Sequence, residues 1–383
     1  MLTDEERRRD FPVLDGMIYL NTAAEGIPPL CVGEALQSYW RDKQRGMKGR
    51  EAHFARLEEC RKTAARALRL SASEVSFCSC SAEAYNLLAS ALDLRESDEV
   101  VISNLDFPSG ATPWLCARTG LKVNLWKARE GALILEDLIA LLNQKTQLVQ
   151  VSLVSFYNGF RLAWRPFIKS VRKYAPNALV SVDVTQALGR VVLDCSDADC
   201  IVSSTHKWIL GTHGGCIVGI PERSAQRLTA RAGGWFHIEN AFEPDRFERV
   251  IRKAGAASFS VGMPNFAAIY ALTSSLRYLE ALSIEKIDAY TQPLVDLIHD
   301  GLVALGIKPM APHDPANRSG IVSFQHPQSG AIHGVLEDAN IHVMHHTGRI
   351  RIAVHGYNRP GEIKVFLETL GKARQRLAGP ASR

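Results

Sequence analysis

Five short apolar runs in the middle of the chain limit its fold more than any other feature. They are SEVSFCS (73–79), DEVVISNL (98–105), TQLVQVSLVSF (146–156), NALVSVDV (177–184) and ADCIVSS (198–204). Each is rich in Val, Ile or Phe and nearly continuous, without alternation, which suits strands buried on both faces of a parallel sheet. Helix-like stretches lie between them, among them AEAYNLLASALDL (82–94), LEDLIALLNQ (135–144) and RPFIKSVRKYA (165–175). Strands and helices in alternation predict an α/β doubly wound sheet.

The pattern changes after Pro264. Long helical periodicity fills AIYALTSSLRYLEAL (268–282) and KIDAYTQPLVDLIHDGLVAL (286–305). Two strand-like runs follow, GIVSFQ (320–325) and GRIRIAV (348–354), and GEIKVFLETLGKARQRL (361–377) closes the chain as a helix. The expected organisation is a large domain over 16–264 and a smaller α+β domain over 265–383, with 1–15 joined to the smaller one. A chain of 383 residues exceeds what one hydrophobic core usually supports, which also favours two domains.

A net charge of +5 is small for this length and gives no reason to expect nucleic acid or a membrane surface as partner. The opening residues MLTDEERRRDFPVL are charged at once, with no apolar core of signal-peptide type, and no stretch is long and apolar enough to span a bilayer, so a cytoplasmic location is expected. The eight cysteines are scattered, and none forms a C-x-x-C pair. They read as small buried hydrophobes, not as a disulfide or metal framework.

Two residues carry the chemistry. Asp183 ends one apolar run, and Lys207 follows another just before a Gly-rich stretch, in CIVSSTHKWILGTHGG. In an open parallel sheet, ligands bind at the carboxyl ends of the strands. Alone, Asp183 reads more readily as a turn or cap residue, and Lys207 as a surface loop lysine. Together they match what pyridoxal 5'-phosphate (PLP) requires: an amine for a Schiff base and a carboxylate that keeps the pyridine nitrogen protonated.

With these motifs in order, the sequence resembles the class V aminotransferase group of fold-type-I PLP enzymes, which includes cysteine desulfurases, kynureninases and isopenicillin N epimerase. The likeness runs from IYLNTAAEGIPP to IRIAVHGYNRPGEI, nearly the whole chain. It implies a mostly parallel, seven-stranded sheet flanked by helices, a smaller C-terminal domain and a homodimer with shared active sites.

The resemblance also implies site residues. Ser81 and Ala82 in FCSCSAEAYNLLASAL take the places of phosphate-binding threonines at a helix N-terminus. Phe107 in SNLDFPSGATPWL would stack on the cofactor ring, and Ser155 in VSFYNGF stands near it. Gln186 would contact the cofactor hydroxyl, Ser204 and His206 its phosphate, and Met263 lies in a loop that reaches the partner subunit's phosphate. Arg351 would grip the substrate carboxylate, with Asn158 and Glu25 as pocket residues and Tyr157, Trp235 and Phe236 as further lining candidates.

Cysteine desulfurases carry a catalytic Cys on a loop shortly before that Arg. Here the segment is ANIHVMHHTGRIRIAV, short and without Cys, so persulfide formation on the enzyme is not expected. His342, His345 and His346 do not have the spacing of a metal site; one of them turned toward the substrate pocket fits better, and no metal is expected. The implied activity is that of a PLP enzyme on a small amino acid, through an imine and loss of the Cα proton. β-Elimination of the C–S lyase type leads, with transamination, epimerisation and a non-catalytic binding role as alternatives.

Overall fold

The computed structural model describes residues 1–116, 120–312 and 314–377. In chain order the first elements are α1 (Asp4–Asp10), β1 (Ile18–Tyr19), α2 (Leu30–Gln44), α3 (Arg50–Leu68), β2 (Val75–Cys78) and α4 (Ser81–Ala91). Next come β3 (Glu99–Ser103), α5 (Pro108–Leu115), β4 (Lys122–Trp126), α6 (Leu135–Leu141), β5 (Thr146–Ser152), α7 (Trp164–Tyr174) and β6 (Leu179–Asp183). Then β7 (Cys200–Ser204), β8 (Cys216–Gly219), α8 (Phe266–Leu282) and α9 (Ile284–Ala304). The chain closes with β9 (Ile321–Gln325), α10 (Ser329–Asp338), β10 (Ile341–His342), β11 (Met344–His346), β12 (Arg349–Ala353) and α11 (Pro360–Leu377).

The central sheet has seven strands in the order β2-β8-β7-β6-β5-β3-β4. The pairs from β7 to β4 are parallel; β8 runs antiparallel to both β7 and β2. The apolar runs are continuous because neighbouring residues serve two cores. Leu148 and Leu179 enter the cluster under α4 and α5, whereas Val149 and Val180 enter the opposite one with α3, α7 and α8. Sheet strands covered on both faces therefore carry no polar alternation.

Two strands escape the sequence pattern for physical reasons. β4 is an edge strand reading KVNLW, with most positions only partly covered, and β8 is a four-residue strand lodged behind a glycine-rich turn. The helices α2 and α3 also lie outside the readings made from sequence.

A third core joins α9, β9, β10, β12, α10 and α11. β12 is central in a three-stranded antiparallel sheet between β11 and β9. The N-terminal segment ties into this layer, since β1 pairs with β10 in parallel and Arg7 bridges to Glu362 at 2.6 Å. α8 lies along α2 and α3, with Ile269, Leu272 and Leu276 in the larger core. Among the described residues no helix is long and apolar enough to cross a membrane.

Candidate active site

The carboxyl ends of β5, β6 and β7 and the start of α4 open onto one cleft. Ser81, Phe107, Ser152, Val154, Phe156, Asp183, Thr185, Gln186, Ser204, His206 and Lys207 line it. Asp183 is the last residue of β6, and Lys207 follows β7 by three positions. Residues distant in sequence converge here because parallel strands all end on the same side of the sheet.

Lys207 sits on a tight loop. Thr205 Oγ1 donates to the carbonyls of Thr212 and Gly215 at 2.7 and 2.9 Å, and Gly211 N donates back to Thr205 O at 3.0 Å. The N-terminal segment seals this loop from outside: Gly26 N donates to His206 O at 2.8 Å, and a Cβ at Gly26 would lie 1.9 Å from the Lys207 carbonyl oxygen. The Lys207 amine has no hydrogen bond or ion pair among the described residues. It lies 5.1 Å from the centroid of the Phe107 ring. Burial lowers its pKa, Asp183 opposes that shift, and Arg351 adds to it.

Asp183 is 6 % exposed, and both its oxygens are held: Oδ2 accepts from the Tyr85 hydroxyl and Oδ1 from Thr185 N, each at 2.8 Å. Tyr85, on the inner face of α4, is fully buried, and burial followed by the carboxylate's charge raises its phenol well above the usual range, so it stays a donor. Gln186 is locked as well, giving its amide to Ala23 O at 3.0 Å and accepting from Trp208 Nε1 at 2.6 Å.

At the start of α4, Cys80 occupies the N-cap position without a side-chain cap bond, which leaves the first turn uncapped where Ser81 lines the cleft. Glu83 turns back instead, accepting from both Ser79 N and Ser79 Oγ at 2.6 Å. Ser81 Oγ pairs with Ser109 Oγ at 3.3 Å, and Ala82 is exposed and offers only its backbone. His206 stacks on His213 with ring centroids 4.1 Å apart, and His213 pairs with Glu25 at 2.9 Å. Burial, then Lys207, then His213 push His206 down to about 4, so its ring is neutral near neutral pH.

Not every expected residue reaches the cleft. Asn158 spends its side chain on the loop scaffold, donating to Gly131 O at 2.7 Å and accepting from Phe160 N at 3.0 Å. Ser155 Oγ likewise donates to Leu105 O at 3.1 Å and accepts from Tyr157 N. Met263, 42 % exposed, borders a separate groove with Gly214 and Asn265. Trp235 packs against Phe236 and Phe242, away from the cleft lining. Of the three histidines before Arg351, His345 contacts Ser329 Oγ and His342 contacts Asn340 Oδ1; neither lines the cleft. Arg351, 4 % exposed on β12, reaches the loop after β5 and donates to Phe156 O at 2.9 Å.

Sequence reasoning missed Tyr85, Thr185, Phe156, Gly26 and His213. Tyr85 had a signal available, since a tyrosine on the buried face of a helix needs a partner for its hydroxyl.

The donor set suits PLP. An unpaired amine faces a fixed carboxylate, an uncapped helix N-terminus adjoins Ser81, and an aromatic ring borders the gap between them.

Comparison with known proteins agrees. The chain is 27% identical over 405 residues to a probable cysteine desulfurase of Methanothermobacter thermautotrophicus, covering 96% of this chain and 97% of that one. A cysteine desulfurase from Thermococcus onnurineus NA1 superposes with TM-score 0.89 at 24% identity, over 98% of this chain and 99% of that one. A cystine C–S lyase in complex with its product cysteine persulfide gives 0.86 at 21% identity, over 94% and 99%. A variant of that lyase has glycine covalently linked to its PLP cofactor, with TM-score 0.87 at 21% identity over 95% and 98%. The aminotransferase class-V family model matches residues 18–359, a span that takes in every residue lining the cleft as well as Arg351, and the chain belongs to that family.

Proposed function

We propose that the chain is a PLP-dependent lyase that removes a β-substituent from a small amino acid, with Lys207 as the cofactor-bearing and proton-transferring residue. The observation that carries this is the Lys207 amine, largely buried and unpaired, opposite an Asp183 carboxylate fixed by Tyr85 and Thr185. PLP is the cofactor, and the chemistry belongs to the lyase and aminotransferase types.

When bound, PLP condenses with an amine and takes up the electrons of a bond broken at Cα. The chain's residues do the rest. Asp183 would hold the pyridine nitrogen in its protonated form, and Tyr85 and Thr185 keep its oxygens in place. The N-terminus of α4, Ser81, Ser204 and neutral His206 would bind the phosphate, and Phe107, which lines the cleft, would stack on the ring. Arg351 would orient the substrate by its α-carboxylate. Lys207, whose lowered pKa favours the neutral amine, takes the Cα proton, and the β-substituent leaves with its bonding electrons.

Elimination is preferred over desulfuration through an enzyme persulfide because none of the eight cysteines lines the cleft. We further read the protein as a homodimer, with Met263 and the exposed Phe242 and Phe247 on the face toward the neighbour.

The purified protein should show a visible PLP band that borohydride removes, with the label on Lys207, and Lys207→Ala should lack it. Incubation with cystine should yield pyruvate and ammonia. Amino transfer to a keto acid without elimination would replace the lyase assignment with an aminotransferase one.

A further inference from the structure

The strand β12 reads Arg-Ile-Arg-Ile-Ala, and all five residues are buried. Alternation along a strand splits them between two faces. Ile350 and Ile352 enter the smaller core with Phe324 and Leu336. Arg349 and Arg351 therefore share the opposite face, which packs on the 156–157 loop beside the cleft, about 7 Å apart at Cα. Arg349 NH1 donates to Tyr157 O at 2.6 Å, and Arg351 NH1 donates to Phe156 O at 2.9 Å, so the two guanidinium groups hold consecutive carbonyls of one loop. Phe156 lines the cleft, edge-on to Phe107 at 4.9 Å, and the Arg349 guanidinium lies 4.1 Å from the Tyr157 ring centroid.

These two cations are 2 % and 4 % exposed, yet neither has a carboxylate partner among the described residues. The Nε of each is buried with no acceptor. The fold treats its other fully buried arginine differently: Arg190 is paired with Asp288 at 2.9 Å. Two like charges buried side by side without an anion are strongly unfavourable. Burial, then the adjacent Arg349, lower Arg351 to about 10. One α-carboxylate would neutralise only one of the two.

We propose that the substrate is an amino acid with a second anionic group, such as a dicarboxylate, whose α-carboxylate is held by Arg351 and whose second anion is held by Arg349. This rests on the PLP-enzyme reading above and adds the substrate class. A fork-shaped donor with a spare Nε–H can take a carboxylate by two bonds, which a neutral side chain would leave unmet.

The test is calorimetric titration of the PLP-loaded protein with succinate and with butyrate, which differ by a carboxylate in place of a methyl. Succinate should bind at least about tenfold more tightly. Arg349→Met should remove that preference and leave butyrate binding within about twofold, whereas Arg351→Met should weaken both ligands by about tenfold or more. If Arg349→Met does not fold, Arg349→Lys keeps a charge without the fork and should lose most of the preference. Equal affinities in the unmodified protein, or a succinate preference that survives in the Arg349 variant, would overturn the proposal and leave Arg349 as a clamp on the 156–157 loop. Failure to load PLP at all would instead refute the reading it rests on, and the visible band distinguishes the two.

Discussion

The Tyr85 hydroxyl donates to Asp183 Oδ2 at 2.8 Å inside the core, linking the helix whose first turn borders the cleft to the carboxylate at the end of β6. Tyr85 is fully buried and shares a hydrophobic cluster with Leu88, Val100 and Val202. The rigid face of α4 thus sets both the expected phosphate position and the orientation of Asp183.

Tyr85→Phe tests that coupling. The ring still fills its place, but one Asp183 oxygen loses its donor within a dry core. A buried acceptor left unmade costs about 1–3 kcal/mol. The variant should unfold at lower urea concentration, and it should release PLP faster on dialysis because Asp183 can then rotate. A variant with unchanged PLP release would mean that Thr185 N alone holds the carboxylate.

Gly26→Ala probes how the N-terminal segment closes the site. Its Cβ would sit 1.9 Å from the Lys207 carbonyl oxygen, and backbone on both sides must move. Overpacking of this kind costs about 1–3 kcal/mol. Gly233→Ala, with nothing within 4 Å of the added atom, serves as the control and should melt close to the unmodified protein. Thermal unfolding of the two variants side by side decides it.

Asp288→Ala asks what an unpaired buried guanidinium does to this fold. Arg190 is fully buried and donates to Asp288 Oδ1 at 2.9 Å, with Nε on Val354 O at 3.1 Å. Removing one partner of a buried pair costs about 3–5 kcal/mol, because the remaining charge has no anion. Chemical unfolding should report a loss in that range, with little change for a surface pair such as Arg129–Asp137.

The parts of this protein legible in sequence are those where local chemistry and periodicity agree. The runs that became β3, β5, β6 and β7 were readable because continuous apolar residues have few other uses, and Asp183 and Lys207 because a carboxylate and an amine rarely end neighbouring buried strands. What stayed hidden depends on three-dimensional partners. The polar strand β4 becomes a strand only through its pairing with β3. Tyr85 finds Asp183 across 98 positions of sequence. Asn158 and Ser155 lie in a motif that looks like pocket lining, yet the tight loop after β5 uses both side chains for its own closure.

Acid should destabilise the fold through His355. His355 is 1 % exposed between the rings of Trp208 and Tyr357, with Nε2 on Trp208 O at 3.1 Å and Nδ1 accepting from Gly356 N at 2.7 Å. A proton on Nδ1 would meet that N–H, and burial keeps the ring from bulk solvent. Burial lowers its pKa to about 3. The folded state therefore binds fewer protons than the unfolded chain, whose histidine titrates near 6.5. Stability from this group is whole above about pH 6.5 and falls by about 1.4 kcal/mol per pH unit below it, until the folded ring itself titrates near 3. Between pH 6.5 and 5 that amounts to about 2 kcal/mol. His355→Gln should be less stable at pH 7.5, yet it should lose less of its stability on acidification, by about one proton's worth of slope. Urea unfolding of both proteins at pH 7.5, 6 and 5 gives the two slopes. Parallel slopes would show that the histidine is not held neutral by the fold.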